Sequence, residues 1–190
     1  GEPLEQVPSF TLGVNNVSPL AMAEAYATFA ARGKHCDSYA VEAILDREGQ
    51  PIELPPRECN QVVDEAVADG VTDVLRGVID GPDGGRTGAR MTLGRPAAGK
   101  TGTTNESLSV WFAGYTPQLA AAAVVADADP PLRSLDGIRL NGTYYRSACG
   151  GCIPGPIWRE AMLGALEDAE VLEFTRPDPR VVRGTNAGVP

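Results

Sequence analysis

The segment from Gly94 to Asn105 constrains the fold most strongly, because it matches two patterns that require different folds. One is the phosphate-binding pattern G-x-x-x-x-G-K-[ST], which is met by Gly94, Gly99, Lys100 and Thr101. That pattern requires a buried strand before the loop and a helix after it. The other is a Lys-Thr-Gly triplet on an extended strand, which suits an antiparallel sheet.

The flanking residues disfavour the phosphate-binding loop. The preceding Met91-Thr-Leu93 is too short and too polar for a buried strand, and Pro96 lies inside the loop. The following Thr101-Gly-Thr-Thr-Asn105 has poor helix propensity. Nucleotide binding is therefore the weakest of the functions considered for this segment.

An extended strand gives the triplet a definite geometry. Alternate side chains share a face of a strand, so Lys100 points with Gly102 and Thr101 points with Thr103. A lysine and hydroxyls on a strand that lines a cleft suit the binding of a carboxylate. Gly102 would let a bound backbone approach closely. The segment thus predicts a site for an acidic ligand.

Hydrophobic periodicity predicts helices on both sides of a central group of strands. Ser18 is a good N-cap, Pro19 suits the first helical position, and Gly33 supplies a stop. The predicted helices cover residues 18–33, 64–80 and 156–166, and the predicted strands cover residues 39–46, 50–54, 110–115 and 119–126. The apolar run 119–126 is typical of a strand buried on both faces. Hairpin-like neighbours favour an α+β fold with an antiparallel sheet flanked by helices.

Charge and hydropathy exclude several classes of protein. The 190 residues include 16 basic and 25 acidic side chains, a net charge of −9, which disfavours nonspecific nucleic-acid binding. No apolar run reaches the roughly 18 residues that a membrane span requires. The chain also lacks the basic start and apolar stretch of a signal peptide.

The four cysteines, Cys36, Cys59, Cys149 and Cys152, fit two disulfides in an exported protein. A zinc site that uses His35 beside Cys36 is one alternative, and free or redox-active thiols are another. A thioredoxin-type C-x-x-C normally opens a helix, whereas prolines follow this one closely. We expect disulfides, no bound metal and no cofactor.

Four segments of the chain resemble, in family order, the C-terminal part of the transpeptidase domain of class A penicillin-binding proteins. They cover most of residues 10 to 166. The segments are Leu12 to Gly33, Ala98-Gly-Lys-Thr-Gly-Thr-Thr-Asn105, Trp111-Phe-Ala-Gly-Tyr-Thr-Pro117 and Gly150-Gly-Cys-Ile-Pro-Gly-Pro-Ile-Trp158. The resemblance implies part of the fold shared by penicillin-binding proteins and serine β-lactamases.

The resemblance also implies a function and residue roles. Such enzymes cross-link peptidoglycan stem peptides through a serine acyl-enzyme, and β-lactams acylate the same serine. Lys100 and Thr103 are the expected catalytic residues, since Lys100 would supply positive charge and the Thr103 N–H would form half of the oxyanion hole. Thr101 and Thr103 would bind the terminal carboxylate. Gly102 and Thr104 complete the expected substrate-binding segment.

The nucleophile motif of that family is missing. The chain has two lysines, Lys34 and Lys100, and alanines, Ala31 and Ala97, stand where Ser-x-x-Lys requires serine. The second motif, Ser-x-Asn, is absent too. Covalent catalysis needs a nucleophile and its base within reach of each other. We therefore expect this chain alone to be inactive. The remaining N-terminal part of the enzyme, either upstream in the same protein or on a separate chain, is expected to supply the serine.

The expected organisation is a partial transpeptidase domain over residues 1–175 and a flexible tail over residues 176–190. Residue 1 is expected to lie inside the domain. The parent enzyme would act at the extracytoplasmic face of the bacterial cell membrane, through an anchor that these residues do not contain. Two alternatives stay open: a relative without a nucleophile that binds muropeptides or partner proteins, and, less strongly, a β-lactamase.

Overall fold

A computed structural model of the chain describes residues 4–81, 86–129 and 131–183. Within these ranges the α-helices are α1 (Pro19–Ala30), α2 (Glu65–Arg76), α3 (Pro154–Ala165) and α4 (Pro179–Arg183). The strands are β1 (Lys34–Cys36), β2 (Ile44–Leu45), β3 (Pro51–Ile52), β4 (Cys59–Gln61), β5 (Ala98–Thr103), β6 (Ser109–Tyr115), β7 (Ala120–Ala126), β8 (Ile138–Leu140) and β9 (Thr143–Tyr145). Two 3-10 helices span Pro8–Leu12 and Asn105–Ser107. The predicted α+β class is confirmed.

The central sheet has three antiparallel strands in the order β5-β6-β7. In its register Lys100 lies opposite Ala113, and Gly102 lies opposite Trp111. Among the described residues β5 pairs only with β6, so one side of β5 is a free edge. This edge carries the Lys-Thr-Gly triplet.

One face of the sheet packs against α3. Phe112 and Trp158 are buried with their ring centroids 4.8 Å apart, and the Trp158 indole N–H donates to the Gly114 carbonyl at 3.3 Å. The same core contains Met91 and Met162. Because side chains alternate along β6, residues of even number face this side of the sheet. Phe112 enters this core, whereas Val110 belongs to a second cluster with Leu135 and Ile153. Burial of these large side chains fixes α3 on the sheet.

The opposite face packs against α1 and α2. The hydroxyl groups of Tyr115 and Thr72 lie 2.8 Å apart, and the Tyr115 ring meets Tyr26 edge-on at 6.0 Å. Helix α1 begins where the sequence predicts, since the Ser18 hydroxyl accepts from the Ala21 N–H at 3.1 Å. Both faces of the sheet are therefore covered by helices.

A separate arm, residues 37–58, extends from the paired strands β1 and β4. Cys36 lies opposite Cys59 in that pair, and a disulfide joins them. Strands β2 and β3 form a short hairpin farther along the arm. No arm residue is buried. The arm is thus connected to the rest of the protein mainly through the β1–β4 pair and its Cys36–Cys59 disulfide.

Four predicted elements differ from the structure. Strands β2 and β3 are shorter than the predicted segments 39–46 and 50–54, because an exposed arm offers nothing to pack against. Helix α2 ends at Arg76 instead of residue 80, since Val78 and Ile79 continue in turns and Ile79 enters the core. Strand β7 is half-buried, so the prediction of burial on both faces is wrong.

The C-terminal part combines described and undescribed residues. Helix α4 occupies part of the segment 176–190 that was predicted as a tail, and residues 184–190 lie outside the described residues. Helix α4 contacts α2. In the part of the chain that is described, no helix combines the length and the apolar character needed to cross a membrane.

Candidate active site

The free edge of β5 presents backbone groups in a fixed order. At the end of the strand the Thr104 N–H donates to the Ser109 carbonyl at 3.0 Å. Residues of an antiparallel pair alternate between those bonded to the partner strand and those facing away. Gly102 therefore faces β6, whereas the N–H and carbonyl groups of Thr101 and Thr103 point outward. The Thr103 N–H is available at this edge as a hydrogen-bond donor.

Lys100 also reaches the free edge. Its side chain is exposed, and Nζ donates to the outward-facing Thr101 carbonyl at 2.9 Å. The ammonium group is consequently close to the same row of backbone groups that includes the Thr103 N–H. A positive charge and an N–H donor at one strand edge favour an anionic ligand.

The two threonines of the triplet region occupy the face that packs toward α3. The Thr101 hydroxyl lies 3.1 Å from the Thr87 hydroxyl, in the loop before β5. Thr103 is exposed, and its hydroxyl has no hydrogen-bond partner among the described residues. The structure therefore places Lys100, Thr101 and Thr103 at one edge of the sheet, and their roles toward a ligand stay predictions.

Thr104 has a different environment from its neighbours. Its hydroxyl accepts from the Ser109 N–H at 2.9 Å and lies 3.2 Å from the Ser109 carbonyl. Glu106 and Ser107, in the connection to β6, have positive φ values of 58° and 53°. Thr104 thus closes this unusual tight connection with its side chain, while the backbone of β5 stays extended up to Thr103.

Thr87 is the contact that the sequence analysis missed. It lies 14 residues before its partner Thr101. The sequence around it is rich in glycine and arginine, a composition that is typical of solvent-exposed loops and gives no sign of a contact with a strand. No spacing rule links two hydroxyls at that separation. Only the packing of this loop behind β5 identifies the pair.

The phosphate-binding alternative for Gly94–Thr101 is wrong. Lys100 and Thr101 lie within a continuous strand that ends at Thr103, and a 3-10 turn at Asn105–Ser107 follows. A phosphate-binding loop requires the N-terminus of a helix directly after the lysine. That helix N-terminus is absent from this described stretch.

The predicted disulfides are confirmed as Cys36–Cys59 and Cys149–Cys152. The zinc alternative is wrong, because the Cys36 sulfur is bonded to Cys59. His35 instead lies between two polar groups, with Nδ1 3.1 Å from the Thr28 hydroxyl and Nε2 3.5 Å from an Asp37 oxygen. The cysteine and histidine side chains in this region are therefore structural.

Comparisons with known proteins agree on one family. The family model described as "Penicillin binding protein transpeptidase domain" matches residues 5–140. Penicillin-binding protein 1A of Mycolicibacterium smegmatis is 34% identical over 187 residues, which cover 94% of this chain and 22% of that protein. Penicillin-binding protein 1A of Neisseria lactamica is 30% identical over 177 residues, which cover 90% of this chain and 20% of that protein. The chain thus spans about a fifth of the curated relatives it matches.

Solved structures show the same likeness. The PonA1 protein from Mycobacterium tuberculosis, in complex with penicillin V, is 29% identical with a TM-score of 0.69, covering 90% of this chain and 44% of that one. Penicillin-binding protein 1A from Haemophilus influenzae is 23% identical with a TM-score of 0.72, covering 89% of this chain and 29% of that one. The second likeness concerns the fold alone. Both confirm the fold that the sequence predicts.

Proposed function

Because the chain belongs to the family of penicillin-binding protein transpeptidase domains, we propose that it forms one wall of a D,D-transpeptidase active site. The complete enzyme would cross-link peptidoglycan stem peptides through a serine acyl-enzyme. The nucleophile would come from a segment outside these 190 residues, since they contain no Ser-x-x-Lys. The observation that carries the proposal is the free edge of β5, where Lys100 Nζ and the Thr103 N–H lie on one side.

Each residue of the edge receives a role that its geometry supports. Lys100 would attract the terminal carboxylate of the stem peptide, and the Thr103 hydroxyl would donate a hydrogen bond to it. The Thr101 hydroxyl, which donates to Thr87 in this structure, would turn its proton to the carboxylate and accept from Thr87 instead. The outward N–H of Thr103 would stabilise the oxyanion that forms during acyl transfer. Gly102 would leave room for the substrate backbone. Thr104 would act indirectly, by closing the connection that fixes the end of β5.

The two disulfides support a location outside the cytoplasm, because disulfides persist in oxidising compartments. We place the complete enzyme at the extracytoplasmic face of the bacterial cell membrane. Penicillin V is bound by PonA1 in the solved complex, and we extend β-lactam binding to the complete domain of this protein. The chain alone would bind no β-lactam covalently, because it lacks the serine that would be acylated.

The test is labelling by a fluorescent penicillin of the complete domain, formed by this chain together with the segment that carries Ser-x-x-Lys. Thr103→Val removes the hydroxyl and keeps the shape, so we expect acylation to slow about tenfold or more. The matched control is Thr143→Val, an exposed threonine on β9, which should label at the original rate. Equal rates in both variants would reject the role of Thr103 in carboxylate binding.

A second variant isolates the oxyanion donor. Proline is tolerated on an edge strand where the N–H faces away from the sheet, as at Thr103. Thr103→Pro removes this N–H in addition to the hydroxyl, so acylation should fall about a further hundredfold below that of Thr103→Val. Absence of any label on the complete wild-type domain would favour a relative that binds muropeptides without chemistry.

A further inference from the structure

The Cys149–Cys152 disulfide closes a tight turn at the start of α3. The Cys152 N–H donates to the Cys149 carbonyl at 3.0 Å, and the Ile153 N–H donates to the same carbonyl at 3.2 Å. The Gly155 N–H then donates to the Gly150 carbonyl at 2.8 Å. We call residues 149–152 the disulfide turn. Its shape is therefore determined by one covalent bond and three backbone hydrogen bonds.

The disulfide turn rests on the backbone of β5 and β6. Gly150 is buried, and a Cβ at this position would overlap the Trp111 carbonyl oxygen and lie 3.0 Å from the Gly102 nitrogen. A residue larger than glycine would push the turn off the sheet. Gly150 consequently covers the position where Gly102 faces Trp111 across the two strands.

Gly151 connects the disulfide turn to the hydrogen-bonded pair Thr87 and Thr101. A Cβ at Gly151 would overlap the Thr87 carbonyl oxygen and lie 3.7 Å from the Thr101 Cγ2. The Thr87 hydroxyl in turn lies 3.1 Å from the Thr101 hydroxyl. The turn, Thr87 and Thr101 thus form one continuous stack behind the free edge.

The stack determines where the Thr101 hydroxyl is held. A threonine side chain has three staggered rotamers, and each places its hydroxyl differently. Among the described residues Thr87 is the side chain that accepts from the Thr101 hydroxyl, and the Gly151 backbone lies against the Thr87 carbonyl. If the turn loosened, Thr87 would lose the backbone that supports it.

We propose that Thr87 and the disulfide turn are positioning residues, which hold the Thr101 hydroxyl at the strand edge for a carboxylate ligand. The identity of the ligand rests on the proposed function, whereas the positioning itself does not. Thr87 acts through Thr101 and touches no substrate. The disulfide acts through Gly150 and Gly151.

The first experiment measures amide hydrogen exchange at Gly102 in the 190-residue chain and needs no enzyme activity. Cys149→Ala combined with Cys152→Ala removes the covalent bond of the turn. We expect exchange at Gly102 to become at least tenfold faster, because Gly150 then covers that amide less of the time. The matched control combines Cys36→Ala with Cys59→Ala, which opens the arm and should leave exchange at Gly102 unchanged. Unchanged exchange in the turn variant would overturn the proposal.

The second experiment measures acylation of the complete domain against penicillin concentration. Thr87→Val should raise the penicillin concentration for half-maximal rate about tenfold and leave the maximal rate unchanged. Thr87→Ser, which keeps the hydroxyl, should behave as the wild type. In a Thr101→Val background, Thr87→Val should have no further effect.

The two experiments separate this proposal from the proposed function. If Thr87→Val raised the half-maximal penicillin concentration equally in the wild type and in the Thr101→Val background, Thr87 would not act through Thr101. This result would overturn the proposal. A complete domain that penicillin does not acylate would reject the proposed function. In that case the exchange of Gly102 alone would decide whether the turn positions β5.

Discussion

The arm and the central sheet are held together in opposite ways. No residue of the arm, 37–58, is buried, although the arm contains apolar side chains such as Val41, Ile44 and Ile52. In β6, by contrast, five of the seven residues are buried. The arm has a disulfide at its base, while the sheet has helices on both faces.

The difference shows that the arm is stabilised by a covalent bond, whereas the sheet is stabilised by the burial of apolar side chains. An isolated two-stranded hairpin is marginally stable in water, so the arm depends on the closure between Cys36 and Cys59. The sheet depends on burial of side chains such as Phe112 and Trp158. Mutations should therefore have different costs in the two regions.

The largest difference should come from truncating a core side chain. Trp158 is 1% exposed and packs against the Phe112 ring, so Trp158→Ala should lower the free energy of unfolding by about 3–5 kcal/mol. Ile52 on the arm is 49% exposed, and Ile52→Ala should change it by less than about 0.5 kcal/mol. Urea denaturation of the 190-residue chain measures both. Similar losses would mean that the arm is packed as tightly as the sheet.

Removing each disulfide should sharpen the comparison. Cys36 and Cys59 are 23 residues apart, so opening their loop should cost about 3 kcal/mol, since closure of a longer loop restricts the unfolded chain more. Cys149 and Cys152 are only 3 residues apart, so opening this shorter loop should lower the free energy of unfolding by about 2 kcal/mol. Denaturation of the two double-alanine variants compares these losses. The reverse order would show that packing of the disulfide turn outweighs loop entropy.

A smaller effect should appear at high pH, from tyrosines packed on the sheet: burial raises the pKa of Tyr115 on β6 and also the pKa of Tyr26 on α1. Burial raises the pKa of Tyr115 from 10.0 to about 12, against the lowering effect of its hydrogen bond to Thr72. Between these values the folded chain holds a proton that the unfolded chain releases. The free energy of unfolding should thus be insensitive to this group below pH 10 and fall as the pH rises toward 12. Denaturation across this pH range measures the fall.

The control for Tyr115 is Tyr115→Phe, which cannot titrate. At neutral pH the free energy of unfolding of this variant should be about 1 kcal/mol lower than that of the wild type, because the Thr72 hydroxyl loses its partner. Between pH 10 and 12 its free energy of unfolding should fall less than that of the wild type, because the contribution of Tyr115 is missing. An unchanged alkaline fall would assign the effect to other groups.

Much of the central region could be predicted from local signals. The Ser18 cap and the following Pro19 identify the start of α1, and the alternation along β6 separates the two faces of the sheet. The placement of Lys100 and Thr103 on opposite faces of β5 follows from the triplet once the strand is extended. These features depend on neighbours in sequence.

Other features depend on contacts between distant segments. Val78 continues the apolar spacing of α2, yet the helix ends at Arg76, since tertiary packing draws Ile79 into the core with Met91. The partner of Thr101 is Thr87 because a loop folds behind β5. The occupied hydroxyl of Thr104 likewise depends on how β5 turns into β6.

The covalent closure of the arm also has a practical consequence for engineering. The tip at residues 47–49 is exposed, and the base is bonded whatever the length between the cysteines. Insertions at exposed turns are the ones that proteins tolerate best, and a longer loop adds little entropic cost. A peptide epitope or a small fluorescent reporter inserted between Glu48 and Gly49 should therefore report on the whole protein without disturbing the edge of β5.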